Sequence, residues 1–233
     1  MKLAFVRHED IAQNIKSFWF IPLSPVTFIA GQYTQLHLPH KDADERGQKR
    51  WFTISSAPGE ELLSITTKID PVKPSSFKRE LLNLKTGFVL TADDPMGDFV
   101  LPKDQTTPLT FIAGGIGITP YHSIVQWLQM QREKRHIHLI YGVNNPKELA
   151  YIPLFKETID VTVLVSSPSP DWTGQTGRIS ANLILQQYSK ANSSLIFIAG
   201  PEPMVEVLNK DLINSGINQA NLVTDYFPGY PTL

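Results

Sequence analysis

The sequence predicts two domains: an N-terminal antiparallel β-barrel over residues 1–102 and a C-terminal α/β domain with a doubly wound parallel sheet over 103–233. Three observations lead there. Up to about residue 102 the apolar runs are short, rich in β-branched and aromatic residues, and split by Pro, Gly and charged turns, as in a barrel or sandwich. From about residue 107 they become near-continuously hydrophobic, as strands buried on both faces must be, and they alternate with helical patterns. Between the two regimes lies "LPKDQTTP" (101–108), a polar natural linker.

The strands of the first half read "KLAFVRH", "SFWFIPL", "QYTQLHL", "RWFTIS", "LLSITTK" and "FVLTA". One helix interrupts them, "SSFKRELLNLKTG". Ser75 or Ser76 suits its N-cap, Phe77, Leu81 and Leu84 fall at i, i+4 and i+7, and Gly87 stops it. In the second half five strands, "PLTFIA", "IHLIYGV", "VTVLVS", "SLIFIAG" and "NLVTDYF", are separated by helical patterns. Those patterns are "YHSIVQWLQMQREKR", "KELAYIPLFKE", "ISANLILQQYSK" and "EPMVEVLNKDLINSG". Strand–helix alternation of this kind builds a parallel sheet with right-handed crossovers.

Composition narrows the function. With 233 residues, 42% hydrophobic and 18% charged, the chain has the make-up of an ordinary globular protein. Its net charge of −1 supplies no global basic field for nucleic acid or anionic lipid. No apolar run reaches membrane-spanning length, and His8, Glu9 and Asp10 follow soon after Met1. The expectation is a cytoplasmic protein with no signal peptide and no membrane span. There are no cysteines, which removes disulfides, thiol nucleophiles, cysteine zinc sites and self-supplied iron–sulfur clusters. None of the six histidines stands four residues from another, and His136 and His138 share a face only on a strand, so no metal site is expected.

Two stretches carry chemistry. "FIAGGIGITP" (111–120) places a glycine turn between a buried strand and a helix, where backbone N–H groups can approach a pyrophosphate at the positive helix end. Gly114, Gly115 and Gly117 give the bare backbone, Ile118 completes the turn, Thr119 offers a hydroxyl or a cap, and Pro120 suits the first turn of the helix. It is not the strict dinucleotide fingerprint. Pro120 replaces the third glycine, and no acidic residue ends the second strand. The other stretch, "RWFTISSAP" (50–58), sets a cation before two aromatic rings and then three hydroxyls. A ligand with a phosphate at one end and a large aromatic system at the other fits that order.

Together these residues resemble the flavoprotein reductases of the ferredoxin–NADP⁺ reductase superfamily along nearly the whole chain. Seven segments appear in that family's order: "FIAGQYTQL" (28–36), "RWFTISS" (50–56), "SSFKREL" (75–81), "DPMGDFVLP" (94–102), "FIAGGIGITP" (111–120), "IFIAGPEPMV" (196–205) and "VTDYFPGY" (223–230). The resemblance implies FAD, with FMN the lesser alternative, and NADH or NADPH as nicotinamide dinucleotide. It assigns Arg50 to the flavin phosphate, Phe52 to the isoalloxazine face, and Thr53 to the neighbourhood of the hydride-accepting nitrogen. Trp51, Ser55 and Ser56 belong to the same motif, and Ser75 and Ser76 open the helix that receives the pyrophosphate. Gly200 and Pro201 keep the nicotinamide-side turn and Met204 opens the next helix, while Asp225 and Phe227 stand where the family has a terminal carboxylate and aromatic, followed by Gly229 and Tyr230.

The sequence departs from the family pattern at three of these places. Phe52 lacks the tyrosine hydroxyl, Ala199 replaces a cysteine, and Asp225 is shorter than the family's glutamate. The resemblance implies hydride transfer from reduced nicotinamide to flavin, then electron release to a separate acceptor: a ferredoxin, flavodoxin, quinone, free flavin or oxygenase partner. Lys41, Lys49, Lys78, Arg79 and Lys85 are either a dock for an acidic ferredoxin or a scatter of solvated cations. Asn144, Asn145 and Lys147 after the second parallel strand include no arginine for a 2′-phosphate, which leans toward NADH, although Arg178 can fold over the adenosine end. A non-catalytic flavin- or nucleotide-binding subunit is the second reading, and an unrelated nucleotide-binding α/β protein fused to a barrel the third.

Overall fold

The computed structural model describes residues 1–188 and 194–227. The first six strands are β1 (Lys2–Ala12), β2 (Ile15–Pro22), β3 (Tyr33–His37), β4 (Lys49–Thr53), β5 (Leu63–Lys68) and β6 (Val89–Ala92). They pair antiparallel in the order β4-β3-β6-β1-β2-β5. Just past β4 an antiparallel bridge joins Ile54 to Ile65 of β5, and the Ser55 N–H donates to the Ser64 carbonyl at 2.8 Å. That contact brings the two edge strands together and closes the sheet into a barrel. Alternation decides which side chains fill it: Phe18 and Phe20 of β2, Leu3 and Phe5 of β1, and Leu36 of β3 all point inward.

Helix α1 (Ser76–Asn83) closes one end of the barrel. Ser75 caps it by accepting the Lys78 N–H, and the fully buried Phe77 and Leu81 anchor it to the barrel core. Each such side chain stabilises the fold by about 1.5–3 kcal/mol.

The second sheet holds β7 (Leu109–Gly114), β8 (Ile137–Val143), β9 (Asp160–Val165), β10 (Gln175–Thr176), β11 (Leu195–Pro201) and β12 (Leu222–Phe227). Between them lie α2 (Thr119–Gln131), α3 (Ile152–Thr158), α4 (Ala181–Tyr188) and α5 (Glu202–Asn214). All pairings are parallel, in the order β10-β9-β8-β7-β11-β12. The chain therefore winds outward from β7 in one direction and returns to β11 on β7's other side. The switch point falls between β7 and β11, where doubly wound sheets open a crevice at the strand C-termini. Every residue of β7 is buried, as its near-continuous apolar run requires.

Three details differ from the sequence expectation. A sixth parallel strand, β10, lies inside "GQTGRIS"; it is two exposed residues long and carries no periodic signal. In "KELAYIPLFKE" only the part from Ile152 on is α-helix, because Tyr151 takes a left-handed φ of 62° and Pro153 suits a first helical turn. Helix α2 stops before "REKR", with Arg132 in the left-handed region at φ 54°. Among the described residues no helix is long and apolar enough to cross a membrane.

The barrel meets the parallel sheet through a buried set of hydroxyls. Tyr151 Oη lies 2.8 Å from Ser17 Oγ and 2.7 Å from Thr66 Oγ1, and Ser55 Oγ lies 2.9 Å from both Ser64 Oγ and Thr66 Oγ1. From α2, His122 Nδ1 donates to the Ser55 carbonyl at 2.6 Å and Ser123 Oγ donates to the Ser56 carbonyl at 2.7 Å. These bonds fix the barrel wall beside the switch point, with a Lys68–Glu148 ion pair at 2.7 Å nearby.

Candidate functional site

A cleft of about 710 Å³ runs between the barrel and the C-terminal ends of the parallel strands. Its size is that of small-molecule and cofactor sites, which span roughly 300–1,000 Å³. At one end the wall is cationic and polar, formed by Arg46, Arg50, Ser75 and Lys78. At the other end Thr53, Ile116, Asp225 and Phe227 come together.

The strand β4 supplies the middle of this wall. Arg50 and Phe52 alternate onto one face and both meet the Phe77 ring, Arg50 with its guanidinium carbon 5.4 Å from the ring centroid and Phe52 at 5.7 Å between centroids. Trp51, about half exposed, also lines the cleft and packs edge-on against Tyr33 at 5.3 Å. Thr53 is 3% exposed, and its hydroxyl is buried with no hydrogen-bond partner. The Arg50 Nε is buried and unpartnered in the same way. Two orphaned polar groups on one cleft wall are what a wall awaiting a polar ligand looks like. The residues present thus fit a flavin nucleotide: a donor for an anion, aromatic surface, and a hydroxyl at the far end.

Ser55 and Ser56 follow directly but do not line the cleft. Both are fully buried, and their hydroxyls are spent on Ser64, Thr66 and the Ser64 N–H in the inter-sheet seam. The sequence placed their hydroxyls and backbone within reach of a ligand; the structure turns them into the wall's backing. At the helix, Ser75 lines the cleft and Ser76 does not. Ser76 donates its N–H to Asp44 Oδ2 at 3.0 Å, while its Oγ accepts the Asp44 N–H at 2.9 Å and lies 3.1 Å from His40 Nε2.

The glycine turn after β7 is a 3-10 turn, Gly115–Ile118, buried throughout. Its glycines answer first to close packing. A Cβ on Gly117 would lie 2.2 Å from the Ala199 carbonyl oxygen, and one on Gly114 would lie 2.5 Å from the Met204 sulfur. A Cβ on Gly200 would meet Met204 at 2.6 Å and the Gly114 backbone at 3.1 Å. So Gly114, Gly117, Gly200 and Met204 lock the ends of β7 and β11 together at the switch point, with Pro201 against them. Gly115 takes a φ of 52°, a turn geometry that favours glycine. Thr119 Oγ1 donates to the Ile116 carbonyl at 3.1 Å, and Pro120 opens α2. Of this turn, Ile116 reaches the cleft.

Strand β12 brings the last residues in. Asp225 pairs in register with Ala199, and Phe227 with Pro201, so both stand at the mouth of the switch-point crevice. Burial pushes the Asp225 carboxyl up to about 6, only partly offset by a hydrogen bond from the Tyr226 N–H. Gly229 and Tyr230 lie outside the described residues. Among the described residues no group of three or more His, Cys, Asp or Glu side chains could hold a metal.

Residues 111–210 match the oxidoreductase NAD-binding domain family. The toluate 1,2-dioxygenase electron transfer component of Pseudomonas putida is 29% identical over 230 residues, 94% of this chain and 63% of the relative. The FAD/NAD binding domain of nitric oxide dioxygenase from Vibrio cholerae superposes with a TM-score of 0.83 at 21% identity, over 97% of this chain and 98% of that one. A ferredoxin NADP⁺ reductase from Neisseria gonorrhoeae, solved with bound FAD and NADP, gives 0.77 at 17% identity, over 99% and 98%. The chain shares its two-domain fold with the ferredoxin–NADP⁺ reductases. It spans between about half and two thirds of the curated relatives it matches, 56–65% for the first four.

Against the superfamily's sequence pattern, the structure adds residues that the motifs did not single out. Tyr33, Arg46, Thr66 and Thr67 line the cleft, as do Gly97, Asp98 and Phe99 of "DPMGDFVLP". Gly97 has a φ of 110°, and a Cβ there would lie 2.7 Å from the Tyr33 ring, so it lets that ring close over the cleft edge. A sequence signal existed for the threonines: Ser64, Thr66 and Thr67 put hydroxyls on a strand buried from Leu63 to Thr67. Of the five cations considered as a partner dock, Lys41, Lys49, Arg79 and Lys85 are exposed, while Lys78 lines the cleft with its Nζ donating to the Lys68 carbonyl at 2.6 Å.

Proposed function

We propose that this protein is an NAD(P)H-dependent flavoprotein reductase that holds FAD in the cleft and passes electrons to a separate acceptor. The observation that carries the reading is the pair of buried, unpartnered donors, Arg50 Nε and Thr53 Oγ1, spaced along a wall that ends at the switch-point crevice. A flavin bound there accepts a hydride from a reduced nicotinamide and releases electrons onward. The chain's own work is positional. Arg50 and Ser75 bind phosphate, Phe52 and Trp51 offer ring surface, and Thr53 donates at the end nearest Asp225 and Phe227. Phe227 and Asp225 cover the approach of the nicotinamide, which enters over Gly114–Pro120, Gly200, Pro201 and Met204.

In this reading residues 1–102 form the flavin-binding domain and residues 103–233 the nicotinamide-binding domain, working in the cytoplasm. FAD is preferred to FMN because the Ser75-capped helix end offers a place for a second phosphate beside Arg50. NADH is the preferred donor, since Asn144 and Asn145 are already engaged, with the Ser166 hydroxyl and the Lys147 N–H, and no arginine accompanies them. The electron acceptor is an oxygenase or a similar redox partner, by analogy with the relative from Pseudomonas putida.

The test is an anaerobic titration of the purified protein with NADH and, separately, NADPH, followed through the visible flavin spectrum. Rapid bleaching by NADH is expected. A yellow protein that neither nucleotide bleaches would instead be a flavin-binding subunit, and one that takes up neither FAD nor FMN would overturn the reading.

A further inference from the structure

The turn before β4, "KDADERGQ" (41–48), adjoins the cationic end of the cleft: its Arg46 lines the wall and its carboxylate Asp44 does not. Asp44 Oδ1 accepts from Arg50 Nη2 at 2.7 Å and from the Arg46 N–H at 3.1 Å. Its Oδ2 accepts the Ser76 N–H at the start of α1 at 3.0 Å. The turn is pinned from the other side as well, because Ser76 Oγ takes the Asp44 N–H. One carboxylate thus ties the arginine of β4 to the first turn of α1.

The rest of the guanidinium is equally constrained. Arg50 Nη1 donates to the carbonyls of Arg46, Gly47 and Lys49 at 2.6, 2.9 and 2.7 Å, and the group lies over Phe77. Nη2 keeps a second N–H beyond the one given to Asp44, and Nε has no partner, so the tethered guanidinium of this cleft-lining residue still has donors to give. A free arginine carries about 2 kcal/mol of rotamer entropy that a ligand must otherwise freeze. Here the fold has frozen it in advance.

We propose that Asp44 is a positioning residue for phosphate recognition: it holds Arg50 and the α1 N-terminus in fixed register so that the Arg50 guanidinium meets the phosphate of an incoming flavin nucleotide. This rests on the flavin reading above. A mere competitor carboxylate would have to leave when phosphate arrives; Asp44 stays, because it is outside the cleft lining and is held by Ser76 and the Arg46 N–H as well as by Arg50. The same carboxylate stays ionised. Burial pushes it up, but hydrogen bonds from Ser76 and Arg46 and the Arg50 charge outweigh this and bring it to about 2.

The experiment compares riboflavin, FMN and FAD binding by flavin fluorescence and calorimetry for the wild type and Asp44→Ala, with a folding check by circular dichroism. Riboflavin has no phosphate and reports the ring-binding part alone. The expected result is at least about tenfold weaker FMN and FAD binding in Asp44→Ala with riboflavin within about twofold of wild type. Equal weakening of all three ligands would make Asp44 a structural residue only, and unchanged or tighter FMN and FAD binding would make it a bystander or a competitor; each overturns the proposal. If Asp44→Ala does not fold, Asp44→Asn carries the same comparison, since it keeps an acceptor for Arg50 and loses the one for the Ser76 N–H. A wild type that binds none of the three overturns the flavin reading itself and this inference with it.

Discussion

The His122 imidazole lies against the Tyr151 ring with centroids 3.7 Å apart, a stack that joins α2 to the start of α3 beneath the barrel. Burial pushes the imidazole down to about 4, and its bond to the Ser55 carbonyl pulls it only partly back. The folded value is below the usual 6.5, so folding favours the neutral ring. Its contribution is complete above about pH 6.5 and is lost as pH falls toward about 4, to a total of up to about 3 kcal/mol. Urea unfolding of wild type and His122→Gln between pH 4 and 8 checks this. The wild type is expected to lose the advantage across that window, and the variant to lie lower at pH 8 and change less.

Asp225 titrates with the opposite sign. Its folded value of about 6 is raised above the ordinary carboxylate range, so the ionised form is penalised in the fold. The penalty is absent below about pH 4 and complete above about pH 6. In the ligand-free protein Asp225→Asn is expected to raise stability at pH 7.5 by about 1–2 kcal/mol after allowance for solvent screening. The gain should vanish near pH 4, and thermal unfolding at the two pH values reads it directly. An equal gain at both would show that the carboxyl's charge is not its source.

Thr53 separates stability from binding. Its buried hydroxyl has no partner in the ligand-free wall, so the near-isosteric Thr53→Val is expected to leave stability unchanged or raise it by about 1–2 kcal/mol. The same substitution should weaken flavin binding about three- to tenfold, because the lost donor is made useful only by the ligand. Melting temperature and a flavin titration on one preparation give both numbers. A variant that is destabilised yet binds normally would place the hydroxyl's role elsewhere.

Gly117 is a packing glycine. Gly117→Ala drives a methyl into the Ala199 carbonyl, backbone that cannot step aside, and should cost about 2–3 kcal/mol or more. Gly59 is the control: its φ is 90° but nothing lies within 4 Å of a Cβ there. Gly59→Ala should cost about 1–2 kcal/mol, from backbone strain alone. Denaturant midpoints for the two variants test the order.

Most of the architecture was written in periodicity. Every strand of the barrel and five of the six parallel strands appeared as apolar runs, since each fills a core and must advertise it. The sixth, Gln175–Thr176, is held by two pairings to β9 and exposes both side chains, so hydrophobicity had nothing to report. The cleft was half legible. Arg50, Phe52, Thr53 and Asp225, which the motifs singled out, stand on its wall, because strand register fixes where such residues point. Ser55 and Ser56 sit in the seam instead, since that register says nothing of which barrel residues the second sheet will cover. Asp44 left no mark at all: one acid in a charged turn looks like any other until Arg50 and Ser76 are seen around it.

The hydroxyl seam has a meaning for inheritance and for engineering. Ser17, Ser55, Ser64 and Thr66 belong to the barrel, whereas His122, Ser123 and Tyr151 belong to the sheet layer, and each side satisfies the other's polar groups. A chimera that grafted this barrel onto a foreign nucleotide-binding half would strand several of them, at about 1–3 kcal/mol apiece. The two halves are therefore poor interchangeable parts. They are expected to travel as one unit, and any successful transplant must carry Tyr151, His122 and Ser123 along with the barrel.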